Sequence, residues 1–238
     1  MLIGPYFNGS AVVVGGCAGA FLGTRLSERL RLALPQTFGL ASMGLGITLI
    51  IKVKFMPAVV LALILGAAIG EIIYLEKFIG KLAGSTRGVI DRYLPSNSGL
   101  GQAEFTERFV AILVLFCASG TGIFGAMHEG MTGDPSILYI KTILDLFTSA
   151  IFATALGYAV ASIAIPQLVI QLLLAALAAM ILPMTTPEMM ADFSAVGGLI
   201  MLATGFRICG VKAFPVANMI PALVIVMPIS HLWAHFVH

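Results

Sequence analysis

"FCASGTGIFGAMHEGMTGD", from Phe116 to Asp134, holds five glycines in nineteen residues, and Gly120, Gly122 and Gly125 spell G-x-G-x-x-G. A dinucleotide fingerprint of this kind needs a strand before it, a helix after it and an acid about 20 positions on. Asp145 stands at that distance from Gly125. What precedes the glycines, "RFVAILVLFCASG", reads as a membrane helix instead, and Asp145 falls inside a further apolar run. A pyrophosphate would have to bind within the bilayer, so the stretch is read as a membrane helix loosened by small residues. With the helix starting near Glu107, Ser119, Gly120, Thr121 and Gly122 lie about 18–22 Å along it. Backbone unwound at that depth can offer N–H and C=O groups to a solute; close packing through small residues is the competing reading.

The composition carries this outward to the whole chain. Of 238 residues, 59% are hydrophobic and 10% charged, and the mean hydropathy is +1.05. A soluble domain carries about 25% charged residues; this chain could not cover a water-facing surface. The expected fold is all-α, a single polytopic membrane helix bundle over 1–238 with about eight spans, near 7–24, 36–52, 55–75, 107–127, 136–160, 164–183, 190–208 and 214–236. The runs lack the alternation of a lipid-facing barrel, and a helix satisfies its own backbone in lipid. Residues 77–106 form the cytoplasmic segment within it, with an amphipathic helix over Lys77–Tyr93 and a loop over Pro95–Gly101. The N-terminus shows no basic region of a removable signal.

Basic residues orient the map. With the N-terminus outside, Arg25, Arg29, Arg31, Lys77, Lys81, Arg87, Arg92, Arg108, Arg207 and Lys212 fall inside, against Lys52, Lys54 and Lys141 on the other side. That follows the positive-inside rule and puts both termini in the periplasm of a bacterial inner membrane. Asp134 before Pro135, and Thr185 with Glu188, read as helix starts on the outer face.

The fifth span carries the sharpest polar signal. Asp145 lies about 15 Å along a helix starting at Pro135, near the bilayer midplane. Lys141, Thr148 and Ser149 share its face by i, i+3, i+4 spacing. A lone carboxylate there costs about 3 kcal/mol on insertion scales. It reads either as an ion, proton or solute ligand, or as a structural partner of Lys141 one turn away. Further from this centre, Asn8, Asn218 and Glu71 are lesser candidates for the solute path; Asn8 and Asn218 read otherwise as interhelical or capping groups, and Glu71 as a snorkelling or paired interfacial acid close to Lys77, with gating as its alternative. Gly15, Gly19 and Gly23, and Gly66 with Gly70, read as close helix packing, within the chain or in a homo-oligomer.

An internal match adds a second clue. "GLASMGLGITLIIKVKF" (39–55) and "GLIMLATGFRICGVKAF" (198–214) share Gly39 with Gly198, Leu40 with Leu199, Gly46 with Gly205 and Phe55 with Phe214. The two segments cross in opposite senses, so the repeat would be inverted, spans 1–3 against 6–8, as in secondary transporters, where short, glycine-broken spans in matching positions point toward the binding site and make Gly46 and Gly205 lesser candidates for the path. No catalytic constellation is evident, so no enzyme is expected. Three cysteines at unrelated spacings and a lone His231/His235 pair suggest no metal site and no cofactor.

Together "FGLASMGLGI", "LALILGAAIGE", "VLFCASGTGIFGAMHEGMTGDPSILYIKTILDLFTSAIFA" and "FSAVGGLIMLATGFRICG" resemble the bacterial domain-of-unknown-function 554 family. The resemblance implies a polytopic inner-membrane protein, labelled as a transport protein, and supplies no substrate and no functional residues. The expected function is a small-solute or ion transporter or channel whose partners are the lipid bilayer and its solute, with no nucleic acid. The alternative is a membrane scaffold or regulatory partner without transport.

Overall fold

The structure is a computed structural model that describes residues 2–22, 28–85, 92, 101–117 and 119–236. The expected amphipathic helix (Lys77–Tyr93) and loop (Pro95–Gly101) fall in part on 86–91 and 93–100, which lie outside the described residues, as does Gly23. Among the described residues every regular element is helical: α1 (Gly4–Leu22), α2 (Glu28–Ile50), α3 (Met56–Ile72), α4 (Leu75–Ser85), α5 (Gln102–Cys117), α6 (Gly120–Thr132), α7 (Ser136–Leu156), α8 (Ala164–Ile181), α9 (Pro187–Ile208), α10 (Val216–Met219) and α11 (Pro221–Phe236), with 3-10 turns over Gly157–Ile163 and Leu182–Met184. The strand that a dinucleotide fingerprint needs is not among them.

Among the described residues four helical stretches are long and apolar enough to cross a membrane: Gln102–Thr132, Ser136–Met184, Pro187–Ile208 and Val216–Phe236. A fifth is gained when Met56–Ile72 and Leu75–Lys81, bent by 47°, count as one. The difference from eight expected segments has identifiable causes. Ser136–Met184 runs through two of them, joined by the 3-10 turn. Gln36–Ile50 is short, and α1 is diluted by five glycines, Asn8 and Ser10.

The chain divides into two compact units. The first comprises Met1–Leu34 and Ile79–Ala178, the second Pro35–Phe78 and Ala179–His238. In the first unit α1 packs along α7, its glycines seated on the neighbour's backbone. A Cβ at Gly15 would strike the Leu146 carbonyl and the Ser149 hydroxyl, and one at Gly19 the backbone of Ala150. On its other side α1 meets α8 and the turn before it, Gly9 facing Ala164 and Leu168 and Gly16 facing Ala161. Phe105, Phe109, Phe116, Val160 and Ile163 fill the adjoining core with Val12.

The second unit repeats the device. Gly66 and Gly70 of α3 lie on Ala222 and Asn218, so α3 runs antiparallel to α10 and α11. In α2 and α9 the glycines interlock reciprocally: Gly39 against Gly205, Gly46 against Gly198. The small-residue spacing read from the sequence therefore serves close packing at these positions.

Helix starts are satisfied in two ways. Ser119 is extended and its hydroxyl accepts from Gly122 N–H at 3.1 Å, capping α6. Thr186, one residue later than expected, caps α9 through Met189 N–H, with Pro187 in the first turn. Asp134 accepts from Ser136 N–H at 2.9 Å at the start of α7. The other device uses distant acids. Glu129 Oε1 accepts from Ile3 and Gly4 N–H at 2.7 and 3.0 Å, at the start of α1. Asp192 Oδ1 accepts from Lys54 and Phe55 N–H at 2.9 and 2.8 Å, just before α3, while its Oδ2 accepts from Ser230 at 2.7 Å. Each carboxylate answers backbone donors that the helix cannot satisfy and sits at the positive end of its dipole.

Candidate functional site

In the first unit a polar cluster forms around Asp145. Its Oδ2 accepts from Lys141 Nζ at 2.5 Å, Gln167 Nε2 at 2.7 Å and Asn8 Nδ2 at 2.8 Å. Asn8 Oδ1 in turn accepts from Gln167 Nε2 and, at 2.7 Å, from Gln171 Nε2. Lys141 is 3% exposed, Asp145 7% and Asn8 not at all. Three helices converge here: α7 with Lys141 and Asp145 one turn apart, α1 with Asn8, and α8 with Gln167 and Gln171, again one turn apart.

The lysine stem is accommodated from two sides. Its ammonium lies 5.6 Å from the centre of the Phe116 ring, a cation–π distance. A Cβ at Gly122 would come within 2.6 Å of Lys141 Cε, so glycine there makes room for the side chain. The glycine-rich stretch thus bears on the acid after all, through the lysine. The chain leaves helical geometry at Ser119 between α5 and α6, where loosening was expected. Gly120 opens α6 and Thr121 is buried behind it.

Other expected site residues lie apart from the cluster. Thr148 and Ser149 donate to the carbonyls of Leu144 and Leu146 in their own helix, and Ser149 sits under Gly15. Gly46 and Gly205 are packing positions in the second unit. There Glu71 accepts from Asn218 Nδ2, not from Lys77, whose ammonium lies 4.6 Å from the centre of the Tyr74 ring. Asn218 Oδ1 accepts from Glu76 N–H at 2.7 Å, and Glu76 pairs with Arg207 at 2.7 Å.

Asn8, read as an interhelical or capping group and as a lesser candidate for the solute path, bonds the acid directly from α1 to α7. Gln167 and Gln171 escaped the sequence reading altogether. Two amides four residues apart in an otherwise apolar segment, "AIPQLVIQLLLAALAAMI", were the available signal. No group of three or more metal-ligating side chains occurs among the described residues.

Apolar helices long enough to cross a membrane, in a chain of mean hydropathy +1.05, mark a membrane protein. Residues 3–231 match the model of the family described as "Protein of unknown function (DUF554)", and the chain belongs to that family. It is 57% identical over 233 residues to the "Uncharacterized protein YqgA" of Escherichia coli K12, covering 98% of each chain. It is 25% identical over 228 residues to the "Uncharacterized membrane protein YdfK" of Bacillus subtilis 168, covering 94% of this chain and 93% of that one. No solved structure matches it.

Proposed function

We propose that the protein is a carrier of a small solute or ion in the bacterial inner membrane, built on an inverted repeat and working through the Asp145 cluster. The observation that carries this reading is the convergence of Asn8 and Gln167 on one buried carboxylate oxygen. They are 159 residues apart and hydrogen-bonded to each other. The same separation recurs in the second unit, where Ser42 Oγ donates to the Met201 carbonyl at 3.0 Å. It is also the offset that aligns Gly39 with Gly198 and Gly46 with Gly205.

Helix limits follow the same offset. Shifted by it, α1 falls on 163–181, α2 on 187–209 and α3 on 215–231. These ranges overlie Ala164–Ile181, Pro187–Ile208 and the start of Val216–Phe236. Within the second unit the paired segments run antiparallel, as glycines at opposite ends interlock. Within the first, α1 and α8 also run antiparallel. An inverted repeat with eight crossings and both termini in the periplasm accounts for these correspondences, and carriers of that design bind their cargo between the repeats. In this reading the ion pair is the occluded form of the site. A buried pair adds little net stability over apolar residues of the same volume, so its presence calls for another role.

The test is reconstitution in vesicles challenged with a panel of inorganic ions and small charged and neutral solutes, read by currents and light scattering. The wild type moves at least one solute; Asp145→Asn, eluting as a folded protein, moves none. Equal movement by wild type and variant sinks the assignment. The sealed Lys141–Asp145 pair favours a second reading, a scaffold in which the pair is architectural. That reading takes over if no solute moves and a partner is retained through 77–106.

A further inference from the structure

The amides around Asp145 admit one arrangement. Gln167 and Gln171 both donate through Nε2 to Asn8 Oδ1, and Gln167 donates to Asp145 Oδ2 as well. Turning either glutamine amide over would set oxygen against oxygen, and turning Asn8 with them would face its oxygen to the carboxylate. This arrangement leaves acceptors over. Among the described residues neither Gln167 Oε1 nor Gln171 Oε1 accepts a hydrogen bond, although Gln167 is fully buried and Gln171 is 2% exposed. Buried carbonyl oxygens without donors are costly. Asp145 Oδ1 adds a further oxygen, since the three donors to this carboxylate all reach Oδ2.

We infer that this cluster binds a small neutral molecule with at least two N–H donors, of the urea and primary-amide class, and that the two glutamine oxygens are its acceptors. The inference deepens the carrier reading and rests on it for access to the cluster. Charge and hydrogen-bonding capacity together select this chemistry. The Lys141 ammonium and the Asp145 carboxylate already compensate each other. Glu129, one turn along α1 from Asn8, is taken up by the backbone donors of Ile3 and Gly4. An added ion of either sign would leave uncompensated charge in a low-dielectric interior, which is strongly unfavourable. A neutral solute leaves the pair as it is. It must bring donors, because a molecule with acceptors alone would set lone pair against lone pair. Both Nε2 groups rest on the same Asn8 oxygen, so the two Oε1 atoms share one locality, on adjacent turns of α8. The carbonyl of a urea or amide needs a donor in return. The Lys141 ammonium has three N–H groups, and Asp145 is its one hydrogen-bond partner among the described residues.

An architectural cluster closes on its own members, and others in this protein do. Asp192 Oδ1 takes the N–H groups of Lys54 and Phe55, and its Oδ2 takes the Ser230 hydroxyl. Asn218 gives its amide nitrogen to Glu71 and takes Glu76 N–H on its oxygen. Around Asp145 the amide nitrogens of both glutamines are spent within the cluster, while the oxygens of the same amides are not. That imbalance is what a site for donors brought from outside requires.

The experiment reads binding to the purified wild type in detergent by saturation-transfer NMR, at the acetyl methyl shared by acetamide, N-methylacetamide and N,N-dimethylacetamide, with empty micelles as the control. The series keeps the carbonyl and removes one N–H at a time. Micelles favour the more methylated amides, so simple partitioning runs opposite to the expected order. Acetamide is expected to bind, urea to displace it, and the apparent dissociation constant to rise about five- to tenfold for each N–H removed, the worth of an ordinary hydrogen bond. Wild type that binds none of the three above the micelle level, or all three alike, overturns the inference. Gln171→Met removes one acceptor at nearly the same side-chain length and touches no bond to Asp145. It should bind acetamide and N-methylacetamide alike; a preference retained there reports size instead of donors and also overturns the inference. The wild-type series suffices to overturn it if this variant does not fold. In the vesicle panel, Asp145-dependent movement of an ion without amide binding keeps the carrier and removes this site. Amide binding without movement of any solute keeps the site and removes the carrier.

Discussion

Asp145 Oδ2 receives three donors, and removing them in different combinations separates an architectural role from a working one. Lys141→Met leaves a buried carboxylate short of its counter-charge, which costs about 3–5 kcal/mol in such settings. A large drop in melting temperature is expected in detergent. Lys141→Met combined with Asp145→Leu removes the whole pair and should recover most of that loss, while flux stays absent. A double variant as unstable as the single one would show that the pair is needed for folding. Asn8→Leu, which deletes one donor to the carboxylate and the acceptor for two amides, should cost about 1–3 kcal/mol by the same melting assay. Asp145 was legible in the sequence because a charge in an apolar run is conspicuous by depth alone. Gln167 and Gln171 were not, because neutral amides do not disturb a hydropathy pattern and their spacing acquires meaning only once α1 and α8 are known to be neighbours.

Among the helices, closeness of approach is what the glycines govern, and α2 offers a control within one element. A Cβ at Gly46 would meet the Gly198 carbonyl, whereas one at Gly44 meets nothing within 4 Å. Gly46→Ala should therefore lower stability by about 1–3 kcal/mol through overpacking. Gly44→Ala should be neutral or stabilising by up to about 1 kcal/mol through helix propensity. Thermal melting of the two variants side by side checks this; equal losses would mean that the α2–α9 contact is looser than described. The sequence revealed the spacing of these glycines but not their partners. Small residues at intervals of four declare a contact face, and which helix fills it is settled by tertiary packing. The distant acids Glu129 and Asp192 were illegible for the same reason. Their backbone partners lie 126 and 138 positions away, beyond the reach of any local capping pattern.

At the scale of the whole molecule the decisive quantity is the direction in which the segments paired by the proposed repeat would cross a membrane. Under the proposed repeat, the turn between α2 and α3, near Val53, would correspond to the turn between α9 and α10, near Lys212. In the second unit α2 and α9 run antiparallel with their glycines interlocked, so the two turns stand at opposite ends of that unit. If the repeat is inverted across a bilayer, these ends face opposite aqueous phases. Lys54 and Lys212 are both exposed and make suitable reporters. In a background without native cysteines, Lys54→Cys should react with a membrane-impermeant maleimide added to intact spheroplasts. Lys212→Cys should react only after permeabilisation, as the bias of basic residues toward the inner face requires. Labelling of both from the same side would contradict the inverted repeat, and with it the ground for calling the protein a carrier. Labelling in the reversed order would keep the repeat and overturn the assigned orientation. Opposite labelling as stated leaves Asn8 and Gln167 as equivalent positions on oppositely directed helices, which is the geometry in which one carboxylate can be offered to either side of the membrane in turn.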